Sequence, residues 1–546
     1  MSLLRTLGLG GVFLLWFLGV GVPVFGWLSQ VNWGGVFQQL ADSSAWSVAG
    51  LTLQQAFWST VWSALLGVPL GLWIGGIPAR SPRERSWQAW TFGVLRFPFV
   101  LPATAAGTAY LGLIGTQGLL THWIWPGSWS YSVKAVIFSH VAFNLTWVAL
   151  RVAEERSQIP AQLEEAARVL GAGARLRWAR LWLPELLPAL ISSLIFVFQA
   201  CVVSFTLVLL LGGGPPVETL ETSIYSQIHL SGGDWEGALP FALLQMAMTL
   251  FPVVVSSILS QSVFRETLSR QRLRVSNGGG ASWKSPSLRE PPFDWNRLTA
   301  TGVAFLIGIA PYFIGIVDAK ASVLRDRDLH EAVYRSLRLI LISLPVAMIL
   351  GVGSASGVAR GARSAQVWDR WMARALGLFV ALTPGFSALV LCLAFWRVYE
   401  TWVDPFEGSL LAIGLLQAIG VYPLIHRGLY PAFASPQTRL LDAARVLGSS
   451  PWGAFWSVEW PRLSPVLWSM TGLAAGLLLG EVSTVTFFKG ESGMTLPLLI
   501  AHWVRRYRFD EALMGSLVLI SLAAGAVWII PVLAHKGSRM FRKDSE

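Results

Sequence analysis

Long apolar runs broken by short charged stretches set the rhythm of this chain. Six runs precede residue 265, near 6–28, 54–78, 94–115, 132–150, 189–211 and 238–262. Six follow residue 297, near 298–317, 333–358, 374–396, 408–427, 464–487 and 511–535. Each is close to the ~20 residues that carry an α-helix across the hydrocarbon of a bilayer, whereas a helix buried in a soluble core shows a run of only about 10–14. The pattern predicts an all-α membrane protein of about twelve transmembrane helices. The run after Arg5 reaches Leu28. It exceeds the ~7–15 residues of a signal-peptide core and no clear small-x-small cleavage site follows, so it is read as a retained first span.

Charge then gives the orientation. Basic residues collect in alternate loops: Arg80, Arg83, Arg85 and Arg96; Arg151, Arg156, Arg168, Arg175, Arg177 and Arg180; the stretches 263–297 and 359–374; and the tail with Lys536, Arg539, Arg542 and Lys543. The positive-inside rule places these in the cytoplasm, and both termini with them. The stretch 212–236 then lies outside, and carries Glu218, Glu221, Asp234 and Glu236 with no Lys or Arg. One loop runs against the pattern: 488–510 falls outside yet holds Arg505, Arg506 and Arg508. Composition agrees with a membrane protein, at 54% hydrophobic and 13% charged residues, against about 25% charged in soluble chains. The net charge of +11 is therefore a topological signal, not a nucleic-acid footprint. Cys201 and Cys392 sit inside apolar runs without metal-ligand spacing and are read as small core residues.

The two sets of runs are copies of one unit. Glu165 pairs with Asp442 and Pro184 with Pro461, each 277 apart; Pro69 with Pro345, Pro160 with Pro436 and Asp234 with Asp510 are each 276 apart. So steady a shift indicates tandem duplication. Each copy has an even number of spans, so the copies are parallel repeats about an axis along the membrane normal. Residues 1–264 form the first half and 298–546 the second. The polar, Gly/Ser/Pro-rich stretch 265–297 joins them as a flexible cytoplasmic linker.

One charged phrase recurs: "LEEAARVLGAG" (163–173) and "LDAARVLGSS" (440–450). As a helix, the first places Leu163, Ala166, Ala167 and Leu170 on one face, with Glu165 and Arg168 spaced to pair beside it. Gly171 is positioned to stop the helix. The second repeats this with Leu440, Ala443, Ala444, Leu447, the pair Asp442–Arg445 and Gly448, and Ser450–Pro451 then opens the next helix. A single such helix reads as a surface helix lying on its own bundle or on lipid. Two copies with one face, one stop and one spacing favour a partner with two equivalent sockets.

The spacing E-A-A, three residues, Gly, nine residues, an aliphatic residue, any residue, Leu, Pro runs through "EAARVLGAGARLRWARLWLP". The second copy, "DAARVLGSSPWGAFWSVEWP", departs only at Asp442 and Trp460. This resembles the EAA loop of permease subunits of binding-protein-dependent ABC importers, over nearly the whole chain. The resemblance implies two tandem six-helix permease halves of type I. In that family the loop is a helix that sits in a cleft of the ATPase, which assigns docking to 164–184 and 441–461, with Glu165, Ala166, Ala167, Gly171, Pro184, Asp442, Ala443, Ala444, Gly448 and Pro461. It implies a separate ATPase, as a homodimer that binds ATP and Mg, and a solute-binding protein outside the inner membrane, with no cofactor or metal on this chain. The Asp442 and Trp460 departures imply sockets used unequally. No G-x-x-x-x-G-K-[ST] phosphate loop occurs in the sequence. The segments 204–228 and 495–512 resemble thiamine permeases, and iron(III) permeases share the fused layout. The solute implied is thiamine or a related cation, with iron(III) as the alternative.

Glu481, inside "LLLGEVSTV", is the clearest ionisable residue within a span, and Ser204 is its counterpart. Such residues are costly in a bilayer and often functional. A carboxylate on a pathway would meet a cation; the alternative is a buried Glu that fixes helix packing. Gln199, Asn144, His140 and Gln245 are further polar candidates, the plainer reading being interhelical hydrogen bonds. Trp27, Trp33, Trp123, Trp125 and Trp283 lie near span ends and read as an interfacial belt. Pro102 and Pro384 are expected to kink the third spans. The outer Gly212, Gly213, Gly214 and Pro215 are expected to contact the binding protein. A membrane-embedded enzyme would carry H-E-x-x-H or G-x-S-x-G, and neither occurs. A transporter driven by an ion gradient also fits parallel halves, but has no use for two docking helices.

Overall fold

The computed structural model describes residues 10–255 and 295–543, apart from 42, 80, 116–117, 124–128, 130, 215–216, 232, 315, 317–318, 403–409, 435–437 and 489–493. Most of the linker expected at 265–297 lies outside the described residues, as do Pro215, Trp125 and Trp283.

In the first half the helices are α1 Gly10–Ser29, α2 Ser43–Gly75, α3 Pro82–Val100, α4 Ala103–Ile114, α5 Val133–Gln158, α6 Ala161–Val169, α7 Leu183–Val202, α8 Thr206–Leu211, α9 Leu220–His229 and α10 Trp235–Val255. In the second they are α11 Trp295–Gly308, α12 Ala310–Ile314, α13 Arg327–Gly361, α14 Val367–Leu382, α15 Ala388–Tyr399, α16 Leu410–Ala434, α17 Thr438–Val446, α18 Trp460–Leu479, α19 Ser483–Phe487, α20 Leu496–Arg505 and α21 Phe509–Lys543. Among the described residues, nine helices are long and apolar enough to span, or eleven when two bent pairs each count as one. The seventh expected span, 298–317, is split at Ile309 into α11 and α12 and so falls short of that length.

The first span of each half crosses to the other half. α1 packs on α14 and α15: the Trp16 and Phe379 rings stack at 4.1 Å, Trp16 Nε1 donates to Thr383 Oγ1 at 2.9 Å, and Tyr399 Oη donates to the Leu18 carbonyl at 2.9 Å. In return α11 and α12 pack on α3 and α4, through Thr91–Thr301 at 2.8 Å, Tyr110–Tyr312 at 2.9 Å and the Arg297–Glu84 ion pair at 2.8 Å. Glu84 also closes a capping box with Ser81, which fixes where α3 begins. This crossing corrects the reading of Trp27: it is wholly buried, in the core shared with α15, and is no interfacial residue.

Close helix approach is built from glycine. Gly67, Gly71 and Gly75 repeat every four residues along α2, and a Cβ on them would lie 2.7, 2.5 and 2.5 Å from the carbonyl oxygens of Leu145, Ala149 and Ala153 on α5. This is the small-xxx-small packing of membrane helices. In the second half Gly351 does the same work against Tyr422 and Ile425.

These contacts correct the repeat frame. Leu145 and Tyr422 are 277 apart, but their partners Gly67 and Gly351 are 284 apart. Likewise Thr52 and Ser336, 284 apart, each accept a backbone N–H, from Leu220 and Leu496 respectively. The expected match of Pro69 with Pro345 is therefore not the structural one. Seven residues is about two helical turns, so the slip keeps the packing face. It persists into the third spans, where α3 and α14 start 285 apart, and is cancelled before α5 and α16, 277 apart.

The expected kinks at Pro102 and Pro384 are full breaks. α3 turns into α4 through 96°, and α14 into α15 through 108°. A second departure concerns the fifth and eleventh spans, expected as single runs 189–211 and 464–487. They break after Val202 and Leu479, and α8 and α19 resume at Thr206 and Ser483. The third departure is 212–236, expected as an outer loop. It contains α9, whose residues Leu220 to Tyr225 are buried.

Two of the three arginines that defy the positive-inside pattern have partners. Arg508 pairs with Glu511 at 3.0 Å and lies over the Trp503 ring, and Arg505 lies over the Tyr225 ring.

Candidate functional site

Two places hold the residues singled out in the sequence. One is the pair of helix–turn–helix loops on the basic side, the other a polar layer where the fifth and eleventh spans break.

The loops are alike in backbone. α6 ends at Val169 and α17 at Val446. The glycines that follow have φ of +78° at Gly171 and +82° at Gly448, a left-handed conformation that favours glycine. Ala172 N donates to the Ala167 carbonyl and Ser449 N to the Ala444 carbonyl, both at 2.9 Å, which completes a Schellman stop in each copy. Ser450 Oγ accepts from Gly453 N at 3.0 Å, as an N-cap does. Each second helix then enters its span through a π-turn, Trp178–Trp182 and Phe455–Glu459, starting 277 residues apart. Pro184 and Pro461 follow directly on these π-turns inside continuous helix, where a proline withholds one intrahelical N–H.

The exposed surface of the loops is apolar at the turn. Val169 and Leu170 are 87% and 85% exposed, and Val446 and Leu447 are 87% and 86% exposed. Leu163 and Leu440 are also exposed, Ala166 and Ala443 likewise, while Ala167 and Ala444 are half-buried. The pairing expected between Glu165 and Arg168 is not formed; both are exposed, where an ion pair gains little over water. The neighbouring Glu164 carries the ion pair instead, with Arg156, and accepts from Trp182 Nε1 at 2.7 Å. The side chains of Asp442 and Arg445 lie outside the described residues.

The polar layer is two versions of one arrangement. His140 on α5 and Gln417 on α16 are 277 apart, as are Ser204 and Glu481 at the span breaks. His140 Nε2 meets Ser204 Oγ at 2.8 Å. Gln417 Nε2 donates to Glu481 Oε2 at 3.0 Å, and Glu481 Oε1 accepts from Thr484 N at 3.0 Å, capping α19. Gln55 Nε2 donates to the Cys201 carbonyl at 2.8 Å, so its Oε1 accepts from His140 Nδ1 at 3.0 Å. In the neutral ring, Nε2 then accepts from the Ser204 hydroxyl. Asn144 Nδ2 donates to the His140 carbonyl at 2.9 Å. Gln199 Nε2 donates to the Pro384 carbonyl at the break of the other half. At the break of the other central span, Gly480 packs on Pro102 of the first half, where a Cβ on it would lie 2.7 Å from the Pro102 Cβ.

Ser204, Glu481 and Gln199 keep part of their surface accessible, while His140, Gln417 and Asn144 behind them are buried. The layer thus has an accessible face and a buried, hydrogen-bonded backing. Sequence reasoning missed Glu221. It is buried on α9 and accepts from Gln245 Nε2 at 2.6 Å, while Gln245 also donates to the Val202 carbonyl at 3.1 Å. The available signal was its place in "TLETSIYS", a polar start to an amphipathic segment whose counterpart reads "TLPLLIAH". Cys201 and Cys392 are buried free thiols.

Two tandem helical halves with broken central spans and paired helix–turn–helix loops define a membrane permease. The chain belongs to the family described as the binding-protein-dependent transport system inner membrane component, which it matches twice, over residues 67–270 and 337–536. It is similar to the thiamine transport system permease protein ThiP of Brucella suis, at 26% identity over 503 residues, covering 89% of this chain and 88% of that protein. The protein of the same name from Escherichia coli is 25% identical over 521 residues, 90% and 89% of the two chains. Sulfate permease 2 of the Chlamydomonas reinhardtii chloroplast is 25% identical over 288 residues, 48% of this chain and 76% of that one. This chain is accordingly the multi-pass inner-membrane permease of an ABC importer, a family that works with an ATPase and a binding protein.

Proposed function

We propose that this permease moves thiamine or a related small cation, delivered by a binding protein on the outer side, through the polar layer at the two span breaks. A separate ATPase homodimer seats the turns of α6 and α17, one per subunit, and drives rocking of the two halves. Both termini face the cytoplasm with the basic loops.

The observation that carries the motor half of this reading is the repeated exposed pair, Val169–Leu170 and Val446–Leu447, each held out on a left-handed glycine stop. Fully burying a side chain of this size is worth about 1.5–3 kcal/mol, so a socket that covers both pairs has ample driving force. The solute half is supported by the relatives' names and by a carboxylate, Glu481, on the accessible face of the layer.

The docking claim is tested by co-purification of the tagged ATPase with wild type and with Leu170→Glu, Leu447→Glu and the double variant. The reading predicts weakening in each single variant and loss in the double one. Full retention in the double variant would remove the loops from the docking surface.

A further inference from the structure

The two docking loops share a backbone but not an attachment. In the first half, Arg156 lies on the last turn of α5, Glu164 on α6, and Trp182 in the π-turn that leads into α7. Arg156 and Glu164 form an ion pair whose side chains are only 9% and 16% exposed. Trp182 Nε1 donates to the same Glu164 oxygen at 2.7 Å, and the Arg156 guanidinium lies 4.5 Å above the Trp182 ring. Arg177 lies 6.0 Å from that ring. One carboxylate therefore ties the docking helix to the spans on both sides of it, amid several guanidinium groups: Arg168 and Arg177 act electrostatically on Arg156 as well.

The second half cannot build this knot. At a spacing of 277, Phe433 stands in place of Arg156, Leu441 in place of Glu164 and Glu459 in place of Trp182. Glu459 turns instead to Arg360 on α13, at 3.4 Å and with both side chains more exposed.

We propose that Arg156, Glu164 and Trp182 are positioning residues that make the first docking helix the stiff lever of the pair, so that the motor's stroke enters the permease chiefly through the first half. The reasoning is mechanical. A helix seated in a moving socket transmits displacement only as far as its own attachment resists bending. Among the described residues the second loop has the more exposed Arg360–Glu459 pair, with Arg360 also 5.8 Å from the Phe433 ring, and a low-exposure, charge-assisted knot shared by three elements resists more than that. The proposal rests on the docking reading above.

Two substitutions separate the knot from the fold. Glu164→Gln leaves the guanidiniums uncompensated, and Trp182→Phe removes the N–H donor while keeping a smaller aromatic ring beneath Arg156. The first readout needs no motor: hydrogen exchange of 161–169 in the full chain, in nanodiscs. Loss of a hydrogen bond to a charged group should speed exchange there by about tenfold or more. The second readout is solute moved per ATP hydrolysed in vesicles holding the permease, the ATPase and the binding protein. That ratio should fall by a similar factor in both knot variants while the ATPase still co-purifies, and change less than about twofold in Glu459→Gln. Unchanged exchange and coupling in both knot variants would overturn the proposal, as would a Glu459→Gln loss as large as theirs. A wild-type chain that fails to retain the ATPase sinks the docking reading instead, and the exchange result still reports on the knot.

Discussion

Gln417 donates to Glu481 at 3.0 Å in the place where, 277 residues earlier, His140 meets Ser204 at 2.8 Å. Duplication thus put one polar contact at the break of each central span, and divergence made one copy acidic and the other neutral. If the acidic copy meets a cation in transit, its charge matters more than its shape. Glu481→Gln keeps the size and a hydrogen-bonding amide. It should cut uptake of a cationic solute about tenfold or more, the scale of a lost charged hydrogen bond. Ser204→Ala should cost about threefold, the average for a neutral interhelical bond in a membrane. Uptake kinetics in vesicles at matched permease content decide this, and equal effects would make both contacts structural.

The loop glycines make a conformational prediction. With φ of +78° and +82° and no atom within 4 Å of an added Cβ, alanine at Gly171 or Gly448 meets no clash, only left-handed strain. That strain is about 1–2 kcal/mol, and asparagine should be better tolerated than alanine. Proline is incompatible with a positive φ and also removes the Gly171 N–H that donates to the Arg168 carbonyl at 2.9 Å. ATPase retention should therefore rank Gly above Asn, Asn above Ala, and Ala above Pro at both positions.

The α2–α5 seam makes a stability prediction. Gly71→Ala pushes a methyl to 2.5 Å from the Ala149 carbonyl oxygen, and overpacking of this kind costs about 1–3 kcal/mol. Gly71→Leu should abolish folded yield. Gly50→Ala and Gly302→Ala, where nothing lies within 4 Å, should be close to neutral. Thermal unfolding in detergent checks the ranking.

The crossed first spans predict assembly without a covalent join. Chains cut between 265 and 294 and co-expressed should co-purify, because α1 is packed on the second half and α11 on the first. Tyr312→Phe, which removes the hydroxyl partner of Tyr110, should weaken the pair by about 0.5–1.5 kcal/mol. Halves that never associate would contradict the crossing.

Much of this was legible in the chain, and the parts that were not share a cause. Hydropathy found the spans because apolar length is a property of each segment alone. The backbone of the two repeated loops was legible down to the Gly171 stop, because capping chemistry is local. The breaks near Ser204 and Glu481 were hidden because flanking apolar residues keep the hydropathy continuous through them. The seven-residue frame slip was hidden because two helical turns preserve the face, which let Pro69 and Pro345 pass as equivalents. The burial of Trp27 depends on α1 crossing to the other half, and that of Glu221 on α9 folding inward against α10. No local pattern encodes the first, and the second left only the polar start of an amphipathic segment as a signal.

The most direct test of the account is uptake into vesicles that hold this chain, its ATPase and its binding protein, with labelled thiamine and ferric iron supplied in separate arms. The account predicts thiamine accumulation that requires ATP and the ATPase, and that collapses when Gly171→Pro and Gly448→Pro are combined. Accumulation without the ATPase, or undiminished in the double proline variant, would contradict it.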